Sequence, residues 1–158
     1  MTSSLQQLLE RHPFVRTFEP QHLARLARLA KAVHFDREQV IFHEGDEDAD
    51  FYLIVKGMVA IEVDAPEHVL RVQTLFEGDE FGWSAVLTGR GKHFQARALE
   101  PTDTLAFGGA DLLAAFHEDP AFGLAFTLRL LGVVSERLQG TRLQLHDMYS
   151  VVAKRAGA

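Results

Sequence analysis

The chain has 158 residues, 47% of them hydrophobic and 24% charged, with a formal net charge of −6. That suits one globular domain with a real core. The negative balance argues against general affinity for nucleic acid or anionic membranes. The absence of cysteine excludes disulfides, zinc–thiolate sites and cysteine-ligated iron–sulfur clusters.

The opening MTSSLQQLLE lacks the basic-then-apolar order of a secretory signal. No apolar run approaches the roughly 18 residues of a membrane helix. The expectation is a cytoplasmic protein with no membrane partner. SSLQQLLERH reads as a helix, with Ser3 and Gln6 spaced as a capping box, and Pro13 follows its end. FEPQHLARLARLA reads as a second helix with Pro20 near its start and Leu23, Leu26, Ala27 and Ala30 on one face.

From Val33 the apolar period changes to two. QVIFHE, DFYLIVKG, MVAIEVD, VLRVQTLF, HFQARAL and TLAFG are short runs rich in Val, Ile, Phe and Tyr, divided by turn sequences such as EGDEDAD, KG, DAPEH, FEGDE, TGRG and EPTD. Gly45, Gly57 and Gly78 fall at those turns, where positive φ is often needed. Asp46, Asp48 and Asp50 alternate as in a calcium loop, but Phe51 and Gly57 stand where that loop needs glycine and glutamate, so a solvated turn is expected.

Near residue 110 the helical period returns. GADLLAAFHED is a short helix closed by Asp119-Pro120, and a long helix is expected from Ala121 to about Val152. Phe122, Leu124, Phe126, Leu128 and Leu130 are expected to be buried. Beyond them Leu131, Val134, Leu138, Thr141, Leu145, Met148 and Val152 are spaced alternately 3 and 4. That is a heptad stripe, read as a parallel homodimer helix. Gly132 and Gly140 within it suggest close contact or a hinge. The last residues, VVAKRAGA, are expected to fray.

The fold class that follows is α+β. Many short strands with turns between them suggest a β-sandwich or β-roll, flanked by N-terminal helices and a long C-terminal helix; the resemblance given next implies the roll, a jelly-roll-like double-stranded β-helix as in cupins. The expected boundaries are 1–31 for the first helices, 32–109 for the roll and 110–152 for the short and long helices.

In this order of elements the chain resembles the cyclic-nucleotide-binding domains of the catabolite-activator and fumarate-nitrate-regulator family. Three stretches carry the likeness. VIFHEGDEDADFYLIVKGMV places Gly45, Asp46, Tyr52, Ile54 and Gly57 in the family pattern. LFEGDEFG places Gly78, Asp79, Phe81 and Gly82. ARALEPTDTLAF resembles the strand after the phosphate-binding cassette.

The resemblance implies a ligand cassette within 78–98. In the family, a glutamate after Phe-Gly holds the ribose hydroxyl and an arginine further on pairs with the cyclic phosphate. Here Phe81, Gly82, Ser84 and Ala85 keep the frame, Trp83 replaces the glutamate, Lys92 the arginine and His93 the hydroxyl residue after it; Arg90 would serve only if the register slipped. Indole is donor-only and cannot accept from a ribose hydroxyl. Lysine keeps the charge without the two-pronged guanidinium geometry. Ser135 and Thr141 are the candidates for contacts to a base.

The resulting expectation is a non-enzymatic sensor module with weakened cyclic AMP and cyclic GMP specificity. No cofactor is certain; a cyclic nucleotide or another small anionic ligand is the candidate. The expected partners are a second copy of the chain through Leu131, Val134, Leu138, Leu145 and Met148, and an effector protein. Direct DNA binding is not expected, because the sequence stops before a helix-turn-helix could form. Two alternatives stand beside this: a dimerising scaffold with a self-filled pocket, and a metal-dependent cupin-like enzyme. The second lacks the His-x-His pair such enzymes use, so neither catalytic nor metal-ligating residues are assigned.

Overall fold

The computed structural model describes residues 4–47, 50–87 and 92–157. The chain divides into two compact units, Met1–Gly123 and Leu124–Ala158. The element order is α1 (Ser4–Arg11), α2 (Pro20–Leu29), β1 (Lys31–Phe35), β2 (Val40–Phe42), β3 (Asp50–Lys56), β4 (Met58–Ala65), β5 (His68–Phe76), β6 (Glu80–Phe81), a single 3-10 turn (Trp83–Val86), β7 (Gln95–Ala98), β8 (Thr102–Gly108), α3 (Gly109–Glu118) and α4 (Pro120–Ala156).

The strands form two four-stranded antiparallel sheets, ordered β1-β8-β3-β6 and β2-β7-β4-β5. This is the expected β-roll. Strand alternation decides what lies between the sheets. Tyr52, Ile54 and Ala106 from the first sheet meet Phe42, Val59, Leu75, Ala96 and Ala98 from the second in one core. The alternate residues of the first sheet, Phe51, Leu53, Leu105 and Phe107, are buried too. That other face is covered from the N-terminal segment, where Phe14 sits 5.5 Å from the Phe51 ring. The run FYLI is therefore apolar without alternation, as expected of a strand buried on both faces.

His12 fastens the N-terminal segment to the roll. It is buried, and its Nδ1 accepts from the Phe14 amide at 3.2 Å. That leaves Nε2 to donate to the Ile54 carbonyl at 3.1 Å. In α2, Pro20 occupies the first turn and Leu23 and Leu26 are buried. The Ser3 cap lies outside the described residues.

Gly45, Gly57 and Gly78 have φ of 85°, 112° and 90°. Gly57 is the tight one: a Cβ there would stand 2.4 Å from Thr102 Oγ1 and 2.7 Å from Thr102 Cα. The β3–β4 hairpin thus closes directly over the start of β8. Asp46 acts as a turn residue, its Oδ2 accepting from the His43 amide at 2.8 Å; Asp48 lies outside the described residues.

In the second unit the helix is amphipathic rather than apolar all round. Phe126, Leu130 and Val133 are buried, whereas Leu124 and Leu128 are 61% and 58% exposed. This corrects the expectation that the whole upstream half is buried. At 100° per residue Leu124 and Leu128 fall on the side away from Phe126 and Val133, in line with Leu131. The helix also continues past Val152 to Ala156 instead of fraying. Among the described residues nothing lies within 4 Å of a Cβ built at Gly132 or Gly140.

Gly57→Ala should lower stability by about 2–3 kcal/mol, from positive φ together with the clash on Thr102. Gly140→Ala should raise it by about 0.5–1 kcal/mol through helix propensity. Urea unfolding of the two variants checks both signs.

Candidate ligand cassette

The cassette begins where β6 pairs with β3, with Phe81 opposite Tyr52. The two rings stack at 4.8 Å and 10°. Phe42 completes the aromatic group, 6.1 Å from Phe81 and 6.4 Å from Tyr52. The chain then leaves the sheet at Gly82, in the left-handed region at φ 77°. A Cβ there would be 2.6 Å from the Asp50 carbonyl oxygen and 3.3 Å from Lys92 Nζ. Only glycine fits, both for its conformation and for the approach of β3.

That bend releases the 3-10 turn. Ala85 is buried, while Trp83 and Ser84 are half-buried. The Ala85 amide donates to the Gly82 carbonyl at 3.0 Å and the Leu87 amide to the Ser84 carbonyl at 3.1 Å. The turn packs on β3 and α3. Arg90 lies outside the described residues.

Lys92 closes the site from the other side. Its amide donates to the Asp46 carbonyl at 2.9 Å, and its carbonyl accepts from the Gly45 amide at 2.7 Å. The side chain runs inward; the residue is only 4% exposed. Nζ donates to the Asp50 carbonyl at 2.8 Å and approaches the Gly82 carbonyl at 3.4 Å. It also lies 4.6 Å from the centre of the Phe42 ring. A buried ammonium costs several kcal/mol unless its protons are met. Here main-chain carbonyls and an aromatic face meet them. The Lys92 cation therefore binds the wall of the roll.

The next residues follow strand alternation. His93 is exposed, and Ala96 and Ala98 enter the core. Arg97 turns to the opposite face of the second sheet, where Nε and Nη2 reach Glu62 Oε1 at 2.9 and 2.8 Å. Glu62 is 4% exposed, and Gln95 Nε2 also donates to it at 3.3 Å. Phe81, Gly82 and Lys92 are thus brought together with Phe42 and Asp50. In the second unit Ser135 is exposed, and the Thr141 hydroxyl donates to the Arg137 carbonyl at 3.0 Å. The heptad stripe is open: Leu131, Leu138, Leu145 and Met148 are 49–67% exposed, and Val134 is half-buried.

Sequence reading did not assign Phe42 or the Asp50 carbonyl to the site. Phe42 is legible as an inward strand residue, but a main-chain acceptor has no signature in sequence. Among the described residues no group of three or more His, Asp or Glu side chains is placed to hold a metal ion. None of the described helices is long and apolar enough to cross a membrane.

The sequence model of the cyclic nucleotide-binding domain matches residues 32–119. The chain belongs to the cyclic nucleotide-binding domain family. A cyclic nucleotide-binding domain from Methylobacillus flagellatus superposes with a TM-score of 0.78 at 19% identity, covering 89% of this chain and 83% of that one. The Thermus thermophilus catabolite activator protein gives 0.71 at 23% identity, covering 87% and 63%. Among curated relatives, a lysophospholipase of Chaetomium globosum is 24% identical over 146 residues, 87% of this chain. The chain spans only 9% of that relative's length. The likeness to the solved structures establishes the fold: a cyclic nucleotide-binding roll with helices at both ends.

Lys92→Met should destabilise this domain by about 2 kcal/mol, because it removes the ammonium's bond to the Asp50 carbonyl and its contact with the Phe42 ring. Chemical denaturation measures the loss. A neutral result would show that the ammonium does not hold the two strands.

Proposed function

We propose that this chain is a non-enzymatic regulatory module. It receives a small ligand at the cassette and passes the event through α3 and α4 to a partner. Its affinity for cyclic AMP and cyclic GMP is weakened. The observation that carries this reading is the direction of Lys92, whose ammonium binds the Asp50 and Gly82 carbonyls and sits over Phe42. An anion at the cassette would have to draw it out of that arrangement. Trp83 adds to the effect, since it offers no acceptor where the family's glutamate would meet a ribose. The frame made by Phe81, Gly82, Ser84 and Ala85 supports a retained small-ligand site, with His93 exposed at its rim.

The open stripe through Leu131, Leu138, Leu145 and Met148 supports pairing of two copies, with Ser135 and Thr141 on the same helix. The engaged ammonium also supports a second reading, a dimerising scaffold with a self-filled cassette. The effector in either case is another protein.

Thermal unfolding with and without cyclic AMP, cyclic GMP and cyclic dinucleotides separates the two. A ligand at 100 times its dissociation constant adds about 2.7 kcal/mol. In a domain of this size that raises the midpoint by roughly 5–10 °C. We expect no such shift with cyclic AMP or cyclic GMP in the native chain, and a shift in Trp83→Glu combined with Lys92→Arg. A full shift in the native chain would overturn the weakened-specificity reading. No shift with any nucleotide leaves the scaffold.

A further inference from the structure

His22, on α2, is 5% exposed, and neither ring nitrogen has a hydrogen-bond partner. A buried polar group left unsatisfied weakens a fold. The described residues hold no second side chain in this condition. The imidazole faces the junction between α3 and α4. Its Nε2 stands 3.9 Å from Asp119 Oδ2, and its ring lies 5.4 Å from that of Phe122. Asp119 is already at work there: its Oδ1 accepts from the Phe122 amide at 3.2 Å and caps α4. One turn further along α2, Arg25 pairs with Glu118, the last residue of α3.

We propose that His22 and Asp119 form a proton-operated latch between α2 and the α3–α4 junction. With His22 neutral, the ring rests beside the carboxylate without a bond. On taking up one solvent proton, imidazolium faces carboxylate, and a closure of about 1 Å gives a charge-assisted bond of ordinary length. The second oxygen of Asp119 can accept it without giving up the cap. His117, in the last turn of α3, is exposed. Arg25 is engaged by Glu118, Glu19 accepts from Gln21, and the first turn of α4 carries no acidic residue. His12 is committed to Ile54 and Phe14. Phe116 packs under Gly123, where a Cβ would stand 2.8 Å from the Phe116 Cβ, so movement of the junction is transmitted to α3. α3 in turn packs on the 3-10 turn that carries Trp83, the one tryptophan of the chain.

The sign of the pH effect is definite. A histidine that gains a partner when protonated stabilises the fold at low pH, and that contribution is lost as pH rises. His34 adds an effect of the same sign. It is exposed, and its bond to Asp103 at 2.7 Å, with Asp36 nearby, holds its pKa above the usual histidine value. A double-mutant cycle removes His34 from the comparison, because it is present in all four proteins. His22→Gln, Asp119→Asn and the double variant of the full chain are unfolded in urea at about pH 5.5 and about pH 8, either side of the ordinary histidine range. Asparagine keeps the cap acceptor while removing the charge.

The expected result is a coupling of threefold or more in the unfolding constant, on the order of 0.7 kcal/mol, at the lower pH and none at the higher. Equal coupling at both, or none at either, overturns the latch. Trp83 fluorescence of the native chain across the same range is the second measurement, needed should a variant fold poorly. A transition that His22→Gln abolishes supports the latch, as does one that a poorly folding variant cannot report but Asp119→Asn abolishes. A transition unchanged in either variant, or no transition in the native chain, overturns it.

Discussion

The cassette depends on one buried cation. Lys92 Nζ holds the Asp50 carbonyl at 2.8 Å and lies near the Gly82 carbonyl at 3.4 Å. Those two oxygens belong to the first residue of β3 and to the residue at which β6 turns away. Their strands are already paired through Tyr52 and Phe81. The ammonium ties the ends of that pairing at the point where Gly82 must bend. The main chain of Lys92 does the same for the β2–β3 turn through Gly45 and Asp46. One residue therefore secures three segments, and the geometry of the 3-10 turn follows from them.

This arrangement explains how a cradle can keep its shape and change its chemistry. The frame is set by Gly82, which admits the Asp50 carbonyl, and by the flat stack of Phe81 on Tyr52. Neither depends on what enters the site. The charge that would attract a phosphate is separate from the frame, and here it is bound to main-chain oxygen. Some amides of the turn are engaged as well, those of Ala85 and Leu87 with carbonyls of the same turn.

Much of this was legible in the sequence. The change of period at Val33 and again near residue 110 marked the roll and its helices. The turn glycines marked bends of positive φ, as found at Gly45, Gly57 and Gly78. The direction of Lys92 was not legible, because its partners are carbonyls of Asp50 and Gly82, which any residue type could supply. The exposure of Leu124 and Leu128 was missed for another reason. An apolar run on a helix gives composition before it gives facing, and only the burial of Phe126, Leu130 and Val133 shows which side is covered. His22 looked like a polar residue of a packing helix; its burial beside Asp119 depends on residues 97 positions apart meeting in space.

The magnitudes order these features. A buried ammonium with its protons met and a flat aromatic stack hold the cassette with several kcal/mol between them. The His22–Asp119 approach, at 3.9 Å and without a hydrogen bond, is worth less. A strong contact holds the bend at Gly82, while a weak one stands where α3 gives way to α4. The two contacts share no residue, so a substitution at His22 or Asp119 leaves the bonds of Lys92 that tie β3 to the Gly82 bend in place.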